Sequence, residues 1–401
     1  MDSIDIKDYF QKFGDSIDSQ WMRHNYNEDD FPEIAHTALI QQNINRDVHY
    51  THLLEYIVMH SHLDILQWDC HFSDLQLTLY KNPRFYIEAL YWMDGTTTIH
   101  QHGFCGAFTL LHGQSIHTEY DFTKKIRINS QFYIGNLAVK NNSILKSGEI
   151  NRIYAGDCLI HSVFHLHSPT VTIVVRNNSC VDKNPQLDYC APHVAIHGKH
   201  SDPMFIKKIR SVKLMLDHLQ LQGYQLLKKL IEGSSIYDVY RVFGGINLFS
   251  LEKNQVDEIS CLIADKLYGE QLLKSLSHQY QSRRLTRLRS FVKDEQQRVI
   301  LAVLMNTPGK QNIVRHLLEL FQCQNMQGLI KIMAEFINKG SRIGGVGYKS
   351  CESLEALVGV WMSHDSDEHI KLKINQLGEQ AMNCYEGLKQ SFVYANLFLT
   401  T

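Results

Sequence analysis

Ten of the 22 histidines fall between His100 and His200, and imidazole is the commonest metal-ligating side chain. Two of them stand two residues apart in DGTTTIHQHGFCGAF, residues 94–108. On a strand, alternation puts His100 and His102 on one face, roughly 7 Å apart at a rise of ~3.3 Å per residue. Two imidazoles on a curved inner face can converge on one metal ion. A third, His161, lies in RIYAGDCLIHSVFHLHSPTVTIVV, residues 152–175, five residues after the Gly of a Gly156-Asp157 turn signal. An antiparallel barrel can bring this strand beside the first, so that His100, His102 and His161 share one ion. His165 and His167 alternate with Phe164 and Leu166 on the His161 face. They read as residues that support the ligands, and either becomes the third ligand if the register differs. His112 and His117 read as solvated residues in or near a turn. Cys105 should face away from the ion, and Cys158 reads as a small buried hydrophobe.

Strands must hold such a cluster, and the chain changes pattern where they are needed. Residues 1–64 show apolar residues at helical three- and four-residue spacing, as in IDIKDYFQKFGDSI and VHYTHLLEYIVMHS. From 65 to 178 come short runs rich in Val, Ile, Thr, Tyr and Phe, beginning with ILQWDC, LQLTLY and RFYIEALYWM, with turn signals between them. Many short strands at even spacing predict a barrel or sandwich. Residues 179–202, with Pro185 and Pro192 and little periodicity, read as a linker. Residues 203–401 return to helical spacing and read as an all-α domain of about 200 residues. The IGGVG segment at 343–347 lacks the Lys-Ser/Thr of a phosphate loop and reads as an inter-helix turn. The predicted class is therefore α+β: N-terminal helices packed on a β-barrel, then an α-helical region.

The bulk properties narrow the functions. The chain has 401 residues, 44% hydrophobic and 20% charged, with a net charge of -2, ordinary values for a globular protein. Nothing calls for a nucleic-acid partner: the basic cluster Arg283, Arg284, Arg287 and Arg289 reads as the solvated face of a helix. The nine cysteines are scattered with no CxxC pair, which argues against a disulfide framework and a cysteine-ligated zinc. Without an apolar run of membrane-spanning length, the expectation is a cytoplasmic protein with no membrane contact. The C-terminal helices are large enough to cap a pocket, form a homodimer, or dock a substrate carried on a peptide or carrier protein.

The two histidine stretches, with Gly95, His100, His102 and Gly113 in the first and Gly156, Asp157 and His161 in the second, resemble the two motifs of the cupin superfamily. The Glu of the first cupin motif is absent; Gly106 or Ala107 holds its place. A three-His set without that Glu is similar to the cysteine dioxygenase-like branch, the thiol dioxygenases. LYKNPRFYIEALYW, the TTTIHQHG run and IHSVFHLHSPTVTIVV resemble that group over about residues 75–178. The resemblance implies a cupin double-stranded β-helix, or jelly-roll barrel, with mononuclear non-haem Fe(II) held by His100, His102 and His161, and O2 as co-substrate. In that family a Ser-x-His-x-Tyr triad follows the third ligand; here Thr172, Val174 and Arg176 stand there. A family Arg that binds the substrate carboxylate corresponds to Lys81, with Arg84 close by.

Three neutral imidazoles also suit Zn(II), Ni(II) or Cu(II). With no carboxylate in the ligand set, the site keeps its full double charge. The expected substrate is a small anion, such as a thiol or amino-acid derivative, its carboxylate held by Arg176, Lys81 or Arg84. Tyr86 and Trp92 are candidate pocket residues, and Glu88 shares their face. The residues leave two other functions open: a Zn-dependent isomerase or hydrolase, and a non-catalytic ligand-sensing barrel whose helical region passes on a signal.

Overall fold

Apolar residues on alternating faces of paired strands decide where the layers of this molecule lie. The structure is a computed structural model that describes residues 5–59, 67, 72–93, 95, 97–178, 185–198, 202–340, 353–363 and 366–390. The ILQWDC strand except for Gln67, and the IGGVG turn, lie outside the described residues.

Among the described residues, the N-terminal helices α1 (Ile6–Arg23), α2 (Phe31–Gln42), α3 (Ile44–Asp47) and α4 (Tyr50–Met59) precede the strands. Eleven strands follow among the described residues: β1 (Leu75–Lys81), β2 (Phe85–Trp92), β3 (Ile99–Gln101), β4 (Gly106–His112), β5 (Gln114–Arg127), β6 (Phe132–Lys146), β7 (Ile150–Ile153), β8 (Ile160–His165), β9 (Thr170–Asn177), β10 (Leu187–Cys190) and β11 (Val194–His197). They form a five-stranded sheet in the order β1-β2-β9-β4-β7 and a closed barrel in the order β10-β11-β6-β5-β8-β3.

The five-stranded sheet is buried on both faces. Ile87, Ala89, Tyr91, Ala107, Val171, Ile173 and Val175 pack with Phe10, Ile17, Trp21, Phe31 and Leu39 of α1 and α2. The alternate residues Leu90, Trp92, Phe108, Leu110 and Val174 pack inward. Two buried faces explain why β9 reads TVTIVV as a continuous apolar run.

Residues 179–202 are not a plain linker. Leu187–Cys190 and Val194–His197 form a hairpin whose strands pair with β3 and β6 and so close the barrel. The strands are four residues each, too short to show a period beside two prolines.

The C-terminal region is helical: α5 (Pro203–His218), α6 (Gln220–Glu232), α7 (Ile236–Gly245), α8 (Lys253–Ala264), α9 (Gly269–Phe291), α10 (Glu295–Asn306), α11 (Lys310–Leu320), α12 (Met326–Gly340), α13 (Leu354–Ser363), α14 (Asp367–Gln376) and α15 (Glu379–Gln390). It is not isolated from the strands. Ile116, Ile144, Phe164 and Leu166 of the barrel side share one core with Ile300, Val303, Leu317, Trp361 and Tyr385. Phe132, Ile134 and Val194 share another with α5 to α9. No helix among the described residues is long and apolar enough to cross a membrane.

Candidate metal centre

Three backbone devices place the histidines. β3 pairs with β8 so that His100 lies directly opposite His161. His102 continues past β3 in a bridge to Ala155, and its carbonyl accepts from Gly156 N at 2.8 Å. Gly156 has φ +75°, a left-handed conformation that favours glycine; the Gly-Asp turn thus carries the chain from the His102 backbone into β8. Gly106 serves close approach instead. A Cβ there would lie 2.0 Å from the Val175 carbonyl oxygen, so no Glu can occupy the position while β4 and β9 stay paired.

The outcome is a cluster in which one ligand atom from each of His100, His102 and His161 lies within 4.8 Å of the others. All three rings are buried, at 3%, 7% and 4% exposure. Ligands at about 2.1 Å from an ion span at most about 4.2 Å, so a pair at the 4.8 Å limit closes by small ring rotations. His102 Nε2 and His161 Nε2 are 2.8 Å apart. His100 Nδ1 lies 2.7 Å from the Thr98 carbonyl and must donate to it, which leaves Nε2 with its lone pair. Burial pushes all three imidazoles below their ordinary range, in His102 and His161 well below it. Neutral, lone-pair-bearing imidazoles in a buried convergent set fit a metal ion.

His117 enters the site, contrary to its reading as solvated. It is 3% exposed, and its Nε2 lies 2.8 Å from His161 Nδ1. β5 begins at Gln114, so His117 is two residues along the strand from Ser115, which is 3.0 Å from His165 Nδ1. The signal was present as alternation: Ser115 and His117 flank Ile116, whose side chain joins the outer helical core. Burial lowers the His117 pKa to about 4.

The cluster opens on a cavity of about 200 Å³. Glu88, Leu90 and Trp92 of β2, Thr172, Val174 and Arg176 of β9, and Phe104 and Phe108 form its other walls. Glu88 is a buried carboxyl, at 2% exposure, that Gln76 hydrogen-bonds. Burial raises its pKa against the opposing pull of Arg176 and Gln76. Burial thus favours the neutral form of Glu88, so the carboxyl offsets little of the site's positive charge. Arg176 holds its guanidinium 4.0 Å from the Phe104 ring centroid and 4.8 Å from that of Tyr86. Its Nε is buried with no hydrogen-bond partner among the described residues. Trp92 stacks on His165, centroids 4.6 Å apart at 19°, and both line the cavity.

The remaining candidates lie elsewhere. Lys81 ends β1 in an exposed position, because a bulge between Thr78 and Tyr80 turns both Leu79 and Tyr80 to the helix side. Arg84 is exposed in the turn before β2, its guanidinium 3.8 Å over Tyr26. Neither lines the cavity, nor does Tyr86. His167 is half-buried in the β8–β9 turn, and His112 packs on Tyr50 at 4.4 Å. Cys158 is exposed rather than buried. Cys105 is buried toward the α1–α2 side, its thiol 3.3 Å from Glu28 O.

No family model matches this chain, and no curated protein does. Among solved structures it is similar to a chain from the crystal structures of the DMSP lyases RdDddP and RnDddQII, with 12% identity over 27% of this chain and 49% of that chain, TM-score 0.20. It spans about half of that chain. It is also similar to hydroquinone 1,2-dioxygenase from Sphingomonas sp. TTNP3, with 10% identity over 27% and 67% of the two chains, TM-score 0.21. A third similarity is to hydroquinone 1,2-dioxygenase PnpCD, at 11% identity over 25% and 63%, TM-score 0.21.

Proposed function

We propose that this chain is a cupin-type, mononuclear non-haem Fe(II), O2-dependent oxygenase of a small anionic substrate. The observation that carries the reading is the convergence of three buried, neutral histidines on the wall of a small cavity that also holds a guanidinium. A volume of about 200 Å³ lies below the ~300–1,000 Å³ of drug-sized ligand pockets, which suits an amino-acid-sized thiol or acid. His100, His102 and His161 would hold the metal, which when bound supplies O2 activation and a site for an anionic donor atom. Three protein ligands leave room for both on a six-coordinate ion.

The chain's own residues do the rest. Arg176 binds the substrate carboxylate and sets its distance from the cluster. Phe104, Phe108, Trp92 and Leu90 exclude water, which strengthens each charge interaction inside. Glu88, kept protonated more readily than an ordinary carboxyl, holds or returns a proton at its carboxyl oxygen. The same Glu88 favours a second reading: Zn(II)-assisted isomerisation or hydrolysis, in which the carboxyl moves a substrate proton.

The test is O2 uptake by Fe(II)-loaded protein with a panel of small carboxylated thiols and amino acids. Uptake that requires Fe(II) and vanishes in His161→Ala supports the oxygenase. Turnover of a panel member by the Zn(II) form with no O2 consumed moves the assignment to the second reading.

A further inference from the structure

A second cavity, of about 560 Å³, lies among the C-terminal helices, away from the histidines. Lys213, Leu216 and Asp217 of α5 form one wall, and Phe243 to Leu251, at the end of α7 and the turn after it, form another. Tyr280, Arg283, Arg284 and Arg287 of α9 form the third. The floor is apolar: Phe243, Ile246, Leu248 and Leu276 are all buried.

Most of the positive charge comes from α9. α9 supplies three exposed arginines, with Arg283 and Arg287 one helical turn apart and so on the same face. Lys213 faces the same cavity. Its carboxylates, Asp217 and Glu252, come from α5 and the N-cap of α8. Lys213, Arg283 and Arg287 form no ion pair among the described residues. Two aromatic rings meet at the rim, Phe249 and Tyr280, centroids 4.9 Å apart at 30°. Arg284 lies 5.6 Å over Tyr280. The C-terminal end of α7 also lines the cavity, and its carbonyls carry partial negative charge. An anion is therefore favoured at the α9 wall and disfavoured at the α7 wall, where an uncharged body fits over the apolar floor.

We propose that this cleft binds a small multiply charged anion with a planar ring, of which a nucleotide is the fitting class. Guanidinium forks match phosphate oxygens. Phe249 and Tyr280 give the ring a stacking surface, and Asp217 and Glu252 accept from hydroxyl or amino groups. The volume lies in the range of small-molecule pockets.

ATP without added metal is the probe, titrated calorimetrically into the full-length protein. Tripolyphosphate supplies the charge without the ring. Saturable ATP binding is expected, tighter than that of tripolyphosphate and weakened by salt. The double variant Arg283→Gln/Arg287→Gln should weaken it at least about tenfold, since it removes two charge-assisted contacts. Both arginines are exposed, so this variant keeps its fold. His161→Ala should leave ATP binding unchanged. No saturable binding at millimolar ATP, or equal binding by wild type and the double variant, overturns the site. Tripolyphosphate binding as tight as that of ATP overturns the assignment of a ring-bearing ligand.

Discussion

The His161 ring has two working edges. Nε2 faces His102 and Nδ1 faces His117, each at 2.8 Å. With the Nε2 lone pair committed to an ion, Nδ1–H donates to His117 Nε2, which fixes the ring's tautomer and tilt. Partners of this kind are worth 10–100-fold in metal affinity. Replacing His100, His102 or His161 by Ala should strip most of the bound metal. His117→Ala should weaken binding by about 10–100-fold, while His112→Ala leaves metal content as in wild type. Elemental analysis after dialysis against graded chelator reads all five variants.

Arg176 makes a separate prediction. Arg176→Met should raise KM for the true substrate about ten- to hundred-fold, from the ~1.5–3 kcal/mol of a charged hydrogen bond, with metal content unchanged. Lys81→Met and Arg84→Met should leave KM alone, since neither residue reaches the cavity. Glu88 adds a pH dependence. Its folded pKa is raised by burial, so its stabilising contribution is present below the unfolded carboxyl value near 4.5 and fades as pH rises through the folded value. Glu88→Gln should gain stability relative to wild type across that rise. Melting temperatures from pH 4 to 8 that run parallel for the two proteins would contradict it.

Among the elements, β4 and β9 carry the tightest constraint. Gly106 sits opposite Arg176 and Ile153, and the Val175 carbonyl occupies the space a Cβ would need. Gly106→Ala should cost at least the ~1–3 kcal/mol typical of overpacking, because the obstructing atom is backbone and cannot rotate away. A denaturant midpoint equal to that of wild type would show that the pairing yields. This constraint shows what sequence patterns reveal and what they hide. The absence of a carboxylate near residue 106 was legible in the residue types, but its cause is a close approach between strands far apart in sequence. His100, His102 and His161 were legible because each rides on an alternating strand next to a turn signal. His117 is hidden in the sequence because it stands only four residues past the Gly113 turn signal, while β5 already begins at Gln114. The β10–β11 hairpin was missed because four-residue strands have no period to read. The bulge in β1 removed Lys81 from the pocket, and a bulge leaves no pattern in residue types.

Across the whole molecule, the barrel and the C-terminal helices share buried side chains. Phe164, on the same strand as His161 and His165, packs in the core that holds Ile300, Leu317 and Trp361. Buried Arg289 of α9 lies 4.8 Å over its ring. These apolar cores run through both the strands and the helices, and apolar burial on this scale can hold the strands together without coordination. The far-UV circular dichroism should therefore survive complete chelation, unlike that of small domains folded by their zinc. Metal should still stabilise by mass action, because it binds the folded site and has no assembled site in the unfolded chain. At a hundred times its dissociation constant the gain is about 2.7 kcal/mol. Because the helices and strands share two cores, chelation should lower one cooperative melting transition by several degrees. Calorimetry with and without chelator checks this. A collapse of secondary structure on metal removal would mean that the histidines hold the barrel together, and a second transition untouched by chelator would mean that the helices melt on their own.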